Sequence, residues 1–284
     1  MTKLSFGIKT APQHTTYEAM LAVWKAADAL PSLEHAWLFD HFAPIHGDIN
    51  GASLEGWTLL AAFAAQTTRL RVGLMVTGNT YRHPAVLAHM AATVDIISNG
   101  RLDFGIGAGW SEYEHSSMGI PLYTPAERIR RLGEACVIIK QLFTQPLSNF
   151  EGRYYQVKEA RCEPKPVQKP HPPFVIGGGG EQLTLRVVAE HADIWNFPGP
   201  AASADQFSRK VSILHKHCEA VGRDPAAIKL SAQLMVNYDN LRETTEAVQR
   251  FVDAGATHIV LNLRPPYPDG IVQRLADEVI PHGG

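Results

Sequence analysis

Four short stretches of this 284-residue chain carry residue types whose spacing suits chemistry. Asp40-His41 sets a carboxylate beside an imidazole, a pair that can bond a ring heteroatom, hold a substrate or move protons near neutral pH. The same dipeptide also reads as a turn cap followed by a surface histidine. Gly73 to Thr80 offers Thr77 and Asn79 as hydrogen-bonding groups beside backbone that a flat ligand can approach, or an ordinary strand followed by a Gly-Asn turn. Gly105, Gly107 and Gly109 strip side chains from a third stretch that runs through Ala108 into Trp110. They admit a ligand, with Trp110 as a planar wall, or merely let the chain turn, with Trp110 as a core anchor. Last, Gly177-Gly178-Gly179-Gly180 precedes a helix expected from about Gln182. Backbone N–H groups at a helix N-terminus form a ready anion site, and phosphate is the reading preferred here over a bare turn.

Each of these stretches follows a strand-like apolar run. Such runs fall near 4–8, 35–39, 70–77, 101–106, 173–176, 192–195, 229–236 and 258–263, with helix-like segments between them. Eight strands alternating with helices predict an α/β fold, a (β/α)8 TIM barrel covering residues 1–284 as one domain. An insertion is expected at about 146–172, after the fourth helix; it holds Gly152, Tyr154, Tyr155 and five prolines and reads as a short hairpin. In such barrels the C-terminal strand ends carry the chemistry, and all four stretches lie there.

Composition removes other classes. Hydrophobic residues make up 45% of the chain, enough to bury a large core, and the net charge of −2 gives no footprint for a nucleic-acid backbone. Cys136, Cys162 and Cys218 are isolated, which argues against a disulfide framework and against zinc. Despite 13 histidines no metal is expected: His215 and His217 stand two apart on a predicted helix and face different ways. Trp110 occupies the place of the last glycine of G-x-G-x-x-G, so the dinucleotide fingerprint fails. No serine sits in a nucleophile-elbow context. No run approaches the ~18 apolar residues of a membrane span, so a soluble cytoplasmic protein without membrane or nucleic-acid partners is expected.

Taken together, several segments resemble the luciferase-like monooxygenase superfamily over nearly the whole chain. They are Asp40-His41, Glu55 to Ala62, Arg71-Val72-Gly73, Tyr81 to Ala85, Gly107 to Trp110, Arg128 to Leu132, Phe150 to Tyr155, Pro172-Pro173 with the glycine run, and Ala192 to Asn196. Within the superfamily the chain is similar to the branch that uses the deazaflavin coenzyme F420, while FMN occupies the same barrel mouth in other members. The resemblance implies an oxidoreductase that transfers a hydride between F420 and a small organic substrate. The alternative is an FMN monooxygenase using reduced flavin and oxygen; a non-catalytic flavin-binding barrel is the reading from another class.

The resemblance also implies roles. Asp40 and His41 lie beside the tricyclic ring, with His41 to hydrogen-bond or protonate the substrate and Asp40 to orient the site. A non-proline cis peptide at Met75-Val76, in a bulge of the third strand, supports the ring's back face. Thr77, Asn79, Ala108, Gly109 and Trp110 belong to the same cofactor surface, and Gly177, Gly178, Gly179 and Gly180 to the phosphate arm. Sugar-phosphate dehydrogenases of this branch carry a general-acid glutamate after the fourth strand, where this chain has Trp110, which argues against sugar-phosphate oxidation. The family commonly forms homodimers through helices beside the second and third strands. There Ala61, Ala62, Ala64 and Ala65 permit close packing against a second copy or against the barrel itself.

Overall fold

The computed structural model describes residues 4–197 and 203–280. Strand β1 (Ser5–Thr10) is followed by α1 (Tyr17–Asp28), β2 (His35–Leu38) and α2 (Gly56–Gln66). The third strand comes in two pieces, β3 (Arg71–Leu74) and β4 (Thr77–Gly78), before α3 (Pro84–Ile97), β5 (Leu102–Gly107), α4 (Glu112–Ser117) and α5 (Pro125–Thr144). An antiparallel hairpin, β6 (Ser148–Glu151) and β7 (Gln156–Ala160), precedes β8 (Phe174–Gly177), α6 (Thr184–His191), β9 (Ile194–Phe197) and α7 (Ala204–Ala220). The chain ends through β10 (Lys229–Met235), α8 (Leu241–Asp253), β11 (His258–Leu263) and α9 (Ile271–Glu278). Parallel pairing runs from β1 through β2, β3, β5, β8, β9, β10 and β11 and returns to β1, so the expected (β/α)8 barrel is closed.

Local chemistry explains the element ends. Thr16 caps α1 by accepting from Ala19 N–H, Thr124 caps α5, and Pro84 and Pro125 stand at first helical positions where no amide partner is lost. The helices cover the outside of the barrel with one continuous apolar layer. Inside, Trp37, Met75, Val175, Ile194 and Val260 form a second, smaller cluster. Near the N-terminal strand ends, His35 and His258 stack at 3.8 Å between centroids, and Trp37 Nε1 donates to His35 Nδ1 at 2.7 Å. The barrel is therefore plugged at one end, and only the other can open to a ligand.

The third strand departs from the continuous run expected over 70–77. Pairing stops at Leu74 and resumes at Thr77, and the Met75-Val76 peptide between them is cis. This bulge supplies the physical reason for the glycines of β5. A Cβ at Gly105 would collide with the Leu74 carbonyl oxygen, and one at Gly107 would lie 2.7 Å from Val76 Cγ2. The spacing thus makes room for the neighbouring strand, a third meaning beside the two read from sequence.

Two further differences concern helices. The helix after the glycine run begins at Thr184 rather than near Gln182, because Glu181 is drawn toward α7 by Lys210 at 2.6 Å and by Arg209. The short α4 was not foreseen. In α2, Ala64 is buried against the barrel, Ala61 and Ala62 are half-buried, and Ala65 is exposed. Among the described residues no helix is long and apolar enough to cross a membrane.

Candidate active site

The open end of the barrel holds a cavity of about 520 Å³, within the range of small-molecule sites. Asp40, His41, Met75, Val76, Thr77, Ala108, Gly109, Trp110, Gly177 and Gly178 all line it. Asn79, Gly179 and Gly180 fall outside the lining. Asn79 is buried, and its Nδ2 donates to Tyr155 Oη at 3.2 Å, tying β4 to the end of the hairpin turn.

Asp40 is 1% exposed and fully engaged. Its Oδ2 accepts from Arg82 Nη1 at 2.5 Å and from the Thr77 hydroxyl, and its Oδ1 accepts from Arg82 Nη2 at 3.0 Å. Arg82 also donates to Glu55 Oε1 at 2.6 Å, and Trp57 Nε1 donates to Thr77 Oγ1 at 3.2 Å. Burial raises the Asp40 carboxyl above its ordinary value, while Arg82 and the Thr77 hydroxyl pull against that. The network clamps the far side of the bulge to the end of β2, so Asp40 acts as an anchor for Thr77 and Arg82.

His41 is differently placed. Its Nδ1 lies 2.8 Å from Glu114 Oε2, a residue of α4 that is 1% exposed. Glu114 also accepts from Tyr81 Oη at 2.5 Å and, through Oε1, from the amides of Phe42 at 2.6 Å and Ala43 at 3.2 Å. Burial alone would raise this carboxyl, but the His41 and Tyr81 hydrogen bonds, His41's charge and the Phe42 amide bring it down to about 2. An ionised Glu114 accepts only, so His41 Nδ1 carries the proton and Nε2 remains for the cavity. Trp110 is 59% exposed with its ring 5.3 Å from that of His41, which makes it part of the rim rather than a core anchor.

The β8 side of the cavity has another character. Gly177 and Gly178 present backbone, Thr184 begins α6 without any side-chain cap, and Arg128 reaches the same space from α5. Arg128 Nη1 donates to the Tyr123 carbonyl, while its Nε is buried with no partner among the described residues. The Gly178 amide is already directed at Asn196 O, at 3.3 Å, so Arg128 and the uncapped helix start are the stronger anion-attracting groups here.

Sequence reasoning missed Glu114, Arg82, Tyr81 and Arg128 as site residues. For Glu114 a signal existed: Ser111-Glu112-Tyr113-Glu114 has the form of a capping box, and Ser111 Oγ does accept from Glu114 N–H at 3.4 Å. The Glu114 carboxylate, however, turns to His41 instead of back to the cap. It stands four residues beyond Trp110, so the loop after β5 does bring a carboxylate to the site.

Comparison with known proteins places the chain in a family. Over 197 residues the chain is 34% identical to pyrimidine monooxygenase RutA of Allorhizobium ampelinum, covering 67% of this chain and about half, 51%, of that protein. Over 150 residues it is 35% identical to an F420-dependent glucose-6-phosphate dehydrogenase of Amycolatopsis mediterranei, covering 52% of this chain and 44% of that one. Its fold is like that of an F420-dependent secondary alcohol dehydrogenase solved with an F420-acetone adduct, with a TM-score of 0.86, 18% identity and 98% of each chain covered. The model of the luciferase-like monooxygenase family matches residues 2–274, and the chain belongs to that family.

Proposed function

We propose that this protein is an F420-dependent oxidoreductase that moves a hydride between the deazaflavin and a small organic substrate. The observation that carries the reading is a single cavity with two chemically distinct sides. His41, backed by Glu114 behind it, faces the cavity after β2, and a cationic, side-chain-poor surface made by Arg128 of α5 with Gly177 and Gly178 of the β8 end faces it from the other side. The residues fit such a cofactor. The Met75-Val76 bulge and the glycines packed on it give a smooth wall for a flat ring, and the unpartnered Nε of Arg128 suits an anionic tail.

When bound, F420 supplies two-electron hydride chemistry at its ring. The chain's own residues do the rest. His41 Nε2 accepts the hydroxyl proton of an alcohol as it is oxidised, or donates a proton as an unsaturated acceptor is reduced. Glu114 fixes the tautomer and stabilises the imidazolium. Arg82, Asp40 and Thr77 hold the bulge, and Trp110 shields His41 from water at the rim. Similarity to the F420-dependent glucose-6-phosphate dehydrogenase supports the cofactor assignment. A second reading, an FMN monooxygenase, is favoured by the longer similarity to pyrimidine monooxygenase RutA. Parallel fluorescence titrations with F420 and FMN discriminate the two: preferential F420 binding is expected, and micromolar FMN binding with no detectable F420 binding would overturn the reading.

A further inference from the structure

On the β1 and β11 side the cavity meets a polar layer to which the hydride-transfer reading gives no task. Lys9 on β1 lines the cavity and donates through Nζ to Gln233 Oε1 at 2.9 Å. Gln233 Nε2 in turn donates to Asn196 Oδ1 at 2.6 Å, Asn196 Nδ2 to Ser231 Oγ at 2.9 Å, and Ser231 Oγ lies 2.8 Å from His258 Nδ1. The row orients Gln233 so that it accepts one proton of the ammonium group. No carboxylate pairs with Lys9 among the described residues. Burial lowers its pKa to about 8, which leaves it cationic at neutral pH.

Asn262 is the register partner of Lys9 on the neighbouring strand. It lines the same cavity and is only 8% exposed, and its Nδ2 is buried without a hydrogen-bond partner among the described residues. A half-buried cation without a counter-ion and a buried amide donor without an acceptor are both costly, and the two stand side by side. The wider lining has the same sign. Among the described residues Lys9, Arg128 and Arg264 face the cavity, against the single carboxylate of Asp40, which Arg82 already neutralises. Arg128 belongs to the β8 side, so the Lys9 and Asn262 corner is a separate point of attachment.

We propose that Lys9 and Asn262 bind the carboxylate of the substrate, which makes the substrate class a small carboxylic acid. The ammonium group supplies charge and the amide a second, directional donor, the pairing that a carboxylate oxygen accepts best. The proposal narrows the substrate of the same site and rests on the oxidoreductase reading for the chemistry after binding. Binding itself is measurable without turnover.

Calorimetric titration of the protein, with and without F420, uses acetate, crotonate and benzoate, each against its neutral amide. At least one acid should bind at least ~10-fold more tightly than its amide. Lys9→Met should abolish the preference while leaving F420 affinity unchanged, and Lys9→Arg should restore part of it. Asn262→Leu should weaken the acid without weakening the amide equally, which gives a second variant if Lys9→Met does not fold. Three acids that bind no better than their amides, or an acid preference that survives Lys9→Met, overturn the proposal. An acid preference in a protein that binds no F420 supports this site while rejecting the cofactor assignment, so the two failures are distinguishable.

Discussion

Replacing Glu114 with glutamine tests whether this carboxylate sets the position of the proton on His41. Glu114 accepts four hydrogen bonds, two from backbone amides and two from Tyr81 and His41. Its pKa falls from 4.5 to about 2, which at ~1.36 kcal/mol per unit corresponds to roughly 3 kcal/mol in favour of the ionised form in the folded state. Because the folded value is depressed, this stabilisation is present above pH 4.5 and disappears as the pH falls through about 2, and the part that comes from the charge on His41 holds only while that ring is protonated. Glutamine keeps one acceptor, which the Phe42 and Ala43 amides can retain, and turns an NH2 group toward Tyr81 and His41. The net loss at pH 7 is then about 2 kcal/mol, or on the order of 5 °C in melting temperature for a chain of this size.

The same NH2 group must be accepted by His41 Nδ1, which moves the ring proton to Nε2. Ring nitrogen NMR of selectively labelled protein reads this directly, with an Nδ1–H tautomer expected in the parent and an Nε2–H tautomer in Glu114→Gln. Turnover should fall by ~10²-fold or more, since a general base in the wrong tautomer cannot take a proton. F420 affinity should stay within about twofold, because Glu114 does not line the cavity. A Glu114→Gln protein with parental stability and an unchanged His41 tautomer would refute the reasoning.

The same geometry sets other outcomes. His41→Ala should lower turnover by roughly 10²–10⁴-fold with little change in cofactor affinity, and full turnover would remove His41 from the chemistry. Arg128→Met should do the reverse, weakening F420 by about 10-fold or more as a charge-assisted contact is lost; equal affinity in titration would place the anionic tail elsewhere. Gly105→Ala drives a methyl group into the Leu74 carbonyl and should cost at least ~3 kcal/mol in urea unfolding, against which a parental midpoint would count decisively. Burial, then the Lys229 charge, lowers His258 to about 3, and burial with the His258 charge also lowers His35. The unfolded chain therefore takes up protons that the folded one refuses, and stability should fall by at least ~1 kcal/mol per pH unit from about pH 6 toward pH 4 through His258 alone, with His35 adding in the same direction. A flat profile over that interval would show that the stacked pair protonates without unfolding.

The barrel was legible because parallel strands buried on both faces read as short, mostly apolar runs, as in Leu102–Gly107 and His258–Leu263, each interrupted by a single interior polar residue, Asp103 or Asn262. The chain carries helix-start signals at Thr16, Pro84 and Pro125, a cap and two first-turn prolines. The break in the third strand left no mark of its own, since Leu74, Met75 and Val76 are all apolar and a side-chain pattern says nothing about a peptide's geometry; only the family resemblance located it. Asp40 and His41 were visible as an adjacent pair, but their partners were not. Arg82 and Glu114 lie 42 and 73 residues away, and pairing across such distances depends on which strand ends the barrel brings together. Lys9 escaped notice because the first apolar run ends at Ile8, whereas β1 continues to Thr10 and in a closed barrel its alternate face points inward.

The Met75-Val76 bulge links these observations. On one side it is held by the Met75 amide on Leu38 O at 2.8 Å and by the clamp of Asp40 and Arg82 on Thr77. On the other it presses against β5 so closely that only glycine fits at 105 and 107, while a Cβ at Gly177 on β8 would sit 3.2 Å from the Val76 methyl groups. The same contacts leave that wall of the cavity without side chains. A residue such as Gly105 therefore shapes the site without touching a ligand, through the room it gives the bulge. Conversely, Asp40 reads in sequence as half of an acid-base pair, yet its place in the structure is on the clamp, and in the proposed function the proton transfer is assigned to His41, backed by Glu114. Two neighbouring residues at one strand end are thus divided between holding the wall and working in front of it, a division set by which of them finds a guanidinium and which finds a carboxylate.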